Sequence, residues 1–265
     1  MKQLRSSGSA NVHEFRLRHL DADFNRQIDF NVAGLMNVDT AHDSSDLWLW
    51  NLACEGQMID SDFDWLPLIA ALHSEVVIVF RGSLESIIRP AMVLDGDWPW
   101  WVPQSWRNYA AMDPRCYFST TWWRKAKQTS VDSLKQKARL KLLNSRPGEP
   151  LMHLEILATC QTELIKQLRA LGTRVLVLGL LPVDQACFPG SAEYFKIVNE
   201  RLGEISEAEG AEFFDWGSQL NSGDLFYRDG FHPNATGATE LATLLHNRLC
   251  KEPQKGTKVA KTINY

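Results

Sequence analysis

The chain has 265 residues, of which 45% are hydrophobic and 23% charged, and its formal net charge is −4. These ordinary globular values exclude wholesale disorder and leave room for one large α/β core or two smaller ones. The acidic balance argues against a nucleic-acid or anionic-membrane partner, because such partners demand a clustered basic surface.

In chain order, Lys2–Ser7 is a weak strand candidate and Gln27–Val32 (QIDFNV) an alternating one. Glu75–Phe80 (EVVIVF) and Arg174–Leu180 (RVLVLGL) are nearly continuous apolar runs, the pattern of strands covered on both faces. Glu212–Trp216 (EFFDW) is a further short strand. Leu154, Leu157, Leu164, Leu168 and Leu171 recur at helical spacing within Leu151–Leu171, and Gly172 stops that helix. A second helix is expected over about Ser191–Ala208 and a third from near Ala235 to about Leu249. Strands and helices alternating in this way imply βαβ crossovers and a mostly parallel, doubly wound sheet.

The stretch Ser86–Pro150 breaks the rhythm with six prolines, six tryptophans and a basic helical segment near Arg124–Leu143. It reads as an insertion, at about 86–150, over the C-terminal edge of the sheet. Its tryptophans (98, 100, 101, 106, 122 and 123) either pack as core or form the wall of an apolar cleft. The remainder reads as a single domain over 1–250, followed by a flexible lysine-rich tail at 251–265.

No apolar run approaches the roughly 20 residues that span a bilayer, and the N-terminal stretch has no signal-peptide core. The five cysteines are odd in number and far apart, which fits a reducing compartment and a cytoplasmic protein. His42 with Asp39, Asp43 and Asp46 reads as a solvated loop, so no metal is expected. No Gly-rich phosphate cradle is present, and no organic cofactor is implied.

The most informative segment is Asp229-Gly230-Phe231-His232-Pro233-Asn234, just before the last helix. A carboxylate three residues before a histidine, on a tight loop, can bond one imidazole nitrogen and leave the other free as a base. Asp224 is a rival carboxylate.

The run RDGFHPNATGATELA resembles the C-terminal block of the SGNH (GDSL-type) hydrolases, where an Asp-x-x-His-Pro loop supplies two members of a catalytic triad. The resemblance implies a flavodoxin-like three-layer α/β/α fold. It also implies an esterase or acyltransferase acting on a small or medium acylated substrate. Gly8-Ser9-Ala10 stands where the family has Gly-Asp-Ser, so Ala10 holds the nucleophile position. Asn51 to Gly56 resembles the second block, whose glycine donates an N–H to the oxyanion hole. Arg81-Gly82-Ser83-Leu84 stands where the family has its Gly-x-Asn block; Gly82 fits, and Leu84 replaces the asparagine donor. Arg81 or Asn51 could fill that gap. Alanine forms no acyl-enzyme. Ala10 therefore represents a Ser→Ala variant, a non-hydrolytic binding relative, or a register in which Ser9 is the nucleophile.

Overall fold

The structure, a computed structural model, describes residues 58–107, 113, 121–220 and 224–250. The expected strands at Lys2–Ser7 and Gln27–Val32 lie outside the described residues, as do Ser9, Ala10, Asn51, Gly56, the His42 cluster and the tail at 251–265.

Helix α1 (Leu66–Leu72) leads into strand β1 (Val76–Val79). Strand β2 (Ile88–Pro90), helix α2 (Trp122–Ser145) and strand β3 (Gly148–Pro150) follow. The C-terminal half is helix α3 (Leu154–Ala170), strand β4 (Arg174–Leu178), helix α4 (Ser191–Ala208), strand β5 (Glu212–Phe214) and helix α5 (Ala235–Cys250). The expected strands and helices of this half are therefore present, with strand ends one or two residues shorter. Helix α3 ends where Gly172 adopts φ +81°, the left-handed conformation that closes a helix cheaply only for glycine.

Strands β1, β4 and β5 form a parallel sheet in the order β1-β4-β5, with Val76 opposite Arg174 and Leu176 opposite Glu212. Alternation along β4 explains the layers. Val175 and Val177 point into a core shared with Leu157, Ile165 and Leu168 of α3 and Val198 and Leu202 of α4. Leu176 and Leu178 point the other way, onto Leu241, Ala242 and Leu245 of α5. Both faces of the strand are thus covered, and the chain is a three-layer α/β fold. No described helix is long and apolar enough to cross a membrane.

Strands β2 and β3 pair antiparallel, with Ile88 opposite Pro150 and Pro90 opposite Gly148. This short ribbon brings the two ends of the 86–150 segment together. Between them Met92, Val102 and Leu142 form a small separate core. The six tryptophans divide. Trp98, Trp101 and Trp106 pack against that core, whereas Trp100, Trp122 and Trp123 are 91%, 80% and 51% exposed. The packing reading thus holds for half of the rings, while the other half stand open to solvent.

Under the ribbon, Arg89 and Arg139 are buried and share one carboxylate, Asp113, at 2.7 and 2.6 Å. Arg89 also donates to the Leu84 carbonyl and Arg139 to the Ile88 carbonyl. These bonds answer donors that burial would otherwise strand, although the buried Arg139 Nε keeps no partner among the described residues.

Candidate active site

The C-terminal ends of the parallel strands open onto the loops that carry the candidate residues, the usual ligand-binding edge of an open α/β sheet. Strand β1 runs into Arg81 and Gly82, and β4 into Pro182–Asp184. The loop after β5 carries Asp229 and His232 before α5 begins.

That loop is built from local bonds. The Gly230 N–H donates to the Tyr227 carbonyl, the Tyr227 N–H to the His232 carbonyl, and the Asn234 N–H to the Leu225 carbonyl. Asn234 then caps α5: its side-chain oxygen accepts the Gly237 N–H at 3.0 Å. Its amide group donates back to the Asp224 carbonyl at 2.7 Å. Asp224, the rival carboxylate, is exposed and engages Asn234 only through this main-chain oxygen.

Asp229 holds the histidine. Its Oδ2 lies 2.7 Å from His232 Nδ1, and its Oδ1 accepts the N–H groups of Phe231 and His232 at 3.0 Å each. Burial opposes the charge on Asp229, but the bond and charge of His232 and these two N–H donors outweigh it. Its carboxyl is held below the usual carboxylate range. An ionised Asp229 only accepts, so in the neutral imidazole it selects the tautomer with the proton on Nδ1 and the lone pair on Nε2. The Asp229 side chain is fully buried while that of His232 is 52% exposed, so the orienting end is dry and the ring reaches solvent.

The third-block residues are also described. Gly82 has φ +106° and starts a one-turn helix at Ser83–Ser86. That φ strains any L side chain, and a β-carbon there would also press on Leu180 Cδ2 at 3.3 Å, so the turn favours glycine. Arg81 donates Nε and Nη2 to the two oxygens of Asp62 at 2.5 Å each, a bidentate pair that the sequence does not signal. Leu84 offers no side-chain donor, and beside it Glu85 is buried, accepting the Ile59 N–H at 2.8 Å. The structure thus joins Asp229 to His232 and sets Arg81 and Gly82 at the same sheet edge. It does not describe Ser9, Ala10, Asn51 or Gly56.

Among the described cysteines, Cys187 is the one beside this loop, its sulfur 3.8 Å from the Arg228 carbonyl. Burial pushes its thiol up to about 11, which leaves it protonated and inert as a nucleophile. An open groove of about 930 Å³ runs along the loop, bordered by Lys125 and Thr129 of α2, Asp184, and Tyr227 and Gly230. None of the six clustered tryptophans lines it. Among the described residues no cluster of three metal-ligating side chains occurs.

No family model and no curated protein matches the chain. Solved structures do. TesA superposes with a TM-score of 0.52 at 16% identity, covering 88% of this chain and 91% of its own. The acetyl xylan esterase AlAXEase superposes with a TM-score of 0.52 at 11% identity, covering 86% and 96%. The psychrotrophic esterase EstA from a Pseudoalteromonas species, inhibited by monoethylphosphonate, gives 0.50 at 14% identity, covering 85% and 88%. The chain thus shares its α/β fold with these structures, two of which are esterases.

Proposed function

We propose that the chain is a serine-type ester or thioester hydrolase or acyltransferase of the SGNH type, acting on a small or medium acylated substrate. The observation that carries the reading is the buried, ionised Asp229 bonded to a half-exposed His232 at the strand ends. A serine at position 10 would attack the acyl carbonyl, and His232 Nε2 would take its proton. Asp229 would hold the imidazolium that forms. The N–H groups of residue 10 and Gly56 would hold the oxyanion, with Gly82 and Asn51 or Arg81 beside them. Arg81 contributes in this way while bound to Asp62, or by exchanging that partner. Residues 1–250 act as one domain, with the 86–150 insertion as one wall of the cleft, in a reducing, cytoplasmic setting. Metal and organic cofactors have no part in this scheme.

Ala10 is then a Ser→Ala form of the enzyme. A second reading, favoured by Ala10 together with Leu84, is a binding or scaffolding protein that keeps the fold without turnover. Fluorophosphonate labelling with mass spectrometry of the adduct separates the two. Ala10→Ser should create a labelled serine and restore hydrolysis of activated esters, and His232→Ala in that background should abolish both. Labelling at Ser9 in the chain as it stands would move the nucleophile by one residue. Absence of labelling in either form favours the binding protein.

A further inference from the structure

We infer that helix α2 positions the His232 ring, acting through Arg139, Phe188 and Phe231. The inference rests on His232 being the base of the proposed reaction.

Three contacts lead from the helix to the ring, and an ion pair anchors their start. Arg139 donates to Asp113 at 2.6 Å, and the same guanidinium lies over the Phe188 ring, 4.7 Å from its centroid. Phe188 meets Phe231 with centroids 5.8 Å apart. Phe231 stands edge-to-face on His232, with centroids 4.9 Å apart and ring planes at 88°. Arg139 and Phe188 are each 1% exposed, so neither can drift without opening the core.

The His232 ring is tethered at Cβ and bonded at Nδ1 to Asp229, which restrains χ2 at the buried edge. Its other edge is half in solvent, so packing on the ring face decides how far it can still swing. The Phe231 ring supplies that packing. Phe231 is itself only partly buried, so its place depends on the wall behind it, which is Phe188 backed by Arg139.

The same helix grips the loops at two further points. Ser133 Oγ accepts from Arg228 at 3.2 Å, and Gln136 donates to the Ala186 carbonyl at 3.1 Å. Positions 133, 136 and 139 are three apart and so lie along one helix face. A movement of α2 therefore moves Phe188, the loop at Arg228 and the His232 ring together. Arg139, Phe188 and Phe231 are positioning residues in this scheme, since none of them needs to touch the substrate.

Long-range ¹H–¹⁵N spectra of the imidazoles, in protein labelled at histidine, read the ring without any turnover. The His232 signals are assigned with His232→Gln. In the chain as it stands they should show one state with the proton on Nδ1. Phe188→Leu and Arg139→Gln should shift or broaden these signals, and Arg139→Lys, which keeps a cation over Phe188, should largely restore them. In the Ala10→Ser background, with p-nitrophenyl acetate, the first two variants should lower kcat by about ten- to a hundredfold. KM should stay within about twofold, because positioning acts on the transition state. Folding is checked by the thermal transition. If Arg139→Gln does not fold, Phe231→Leu at the partly buried position carries the test. Folded variants whose His232 signals stay in place overturn the inference. Failure of the hydrolase reading looks different: no Ala10→Ser form labels or turns over, while the spectra still report the ring.

Discussion

Gly230 lies so close to Asp184 that a β-carbon built on it would come within 2.3 Å of the Asp184 Cβ. The Asp184 N–H donates to the Gly230 carbonyl at 2.9 Å, so the exit of β4 is bonded directly to the loop that bears His232. Gly230 also has φ +65°. Gly230→Ala should therefore lose about 2 kcal/mol or more, from left-handed strain and from overlap with backbone-bound atoms. Chemical denaturation measures the loss. The His232 imidazole signals should move with it, since the loop must swing away from Asp184.

Asp229→Asn tests the electrostatics of the pair. The folded state holds this carboxyl below the usual range, so its stabilisation is present above about pH 4. It disappears as pH falls through the lowered value. The stability gap between the parent and Asn forms should be about 2–3 kcal/mol at neutral pH and should close in acid. In the Ala10→Ser background, turnover of activated esters should drop by roughly 10⁴, because the amide favours the wrong imidazole tautomer.

Glu85 has the opposite sign. Burial pushes its carboxyl above the usual range, although its own N–H and that of Ile59 lower it in part. The folded state thus binds the proton more tightly than the unfolded chain does. The resulting stabilisation is complete in acid and is lost as pH rises through the raised value. Glu85→Gln keeps an oxygen for the Ile59 N–H and removes the buried charge. It should raise Tm at pH 7 to 8, with a gain that vanishes near pH 4.

Asn234 joins the helix cap to the loop. Asn234→Ala removes the acceptor for the Gly237 N–H and the donor to the Asp224 carbonyl. A loss of about 1–2 kcal/mol is expected by denaturation, and Asn234→Asp, which keeps the cap oxygen, should recover about half of it.

The tryptophans separate packing from surface. Trp100→Ala and Trp122→Ala, at positions 91% and 80% exposed, should change stability by less than about 0.5 kcal/mol. Trp101→Ala, packed on Met92, Val102 and Leu142, should cost about 2–3 kcal/mol. If an exposed ring bounds the proposed cleft, its loss should change ester preference in the Ala10→Ser form while the melting curve stays put.

Features with local causes are legible in the order of the residues. The apolar runs at Val76–Val79 and Arg174–Leu178 become sheet strands because both of their faces must be covered. The limits of the helix at Ser191–Ala208 were readable from side-chain spacing and the glycine that follows. Asp229 and His232 were readable as a pair because three residues of tight loop suffice to join them. Which distant groups meet is set by the folding of the chain. Arg81 finds Asp62 19 residues away, Arg89 finds Asp113, and Arg139 reaches Phe188 through a separate loop. Folding also divides the tryptophans, packing Trp98, Trp101 and Trp106 partly buried against the small core and leaving Trp100 and Trp122 in solvent. Composition is the same in either half of that cluster. What differs is the neighbour that β2 and β3 bring alongside by pairing Ile88 with Pro150, and a contact made by chain topology leaves no periodic trace in the residues that make it.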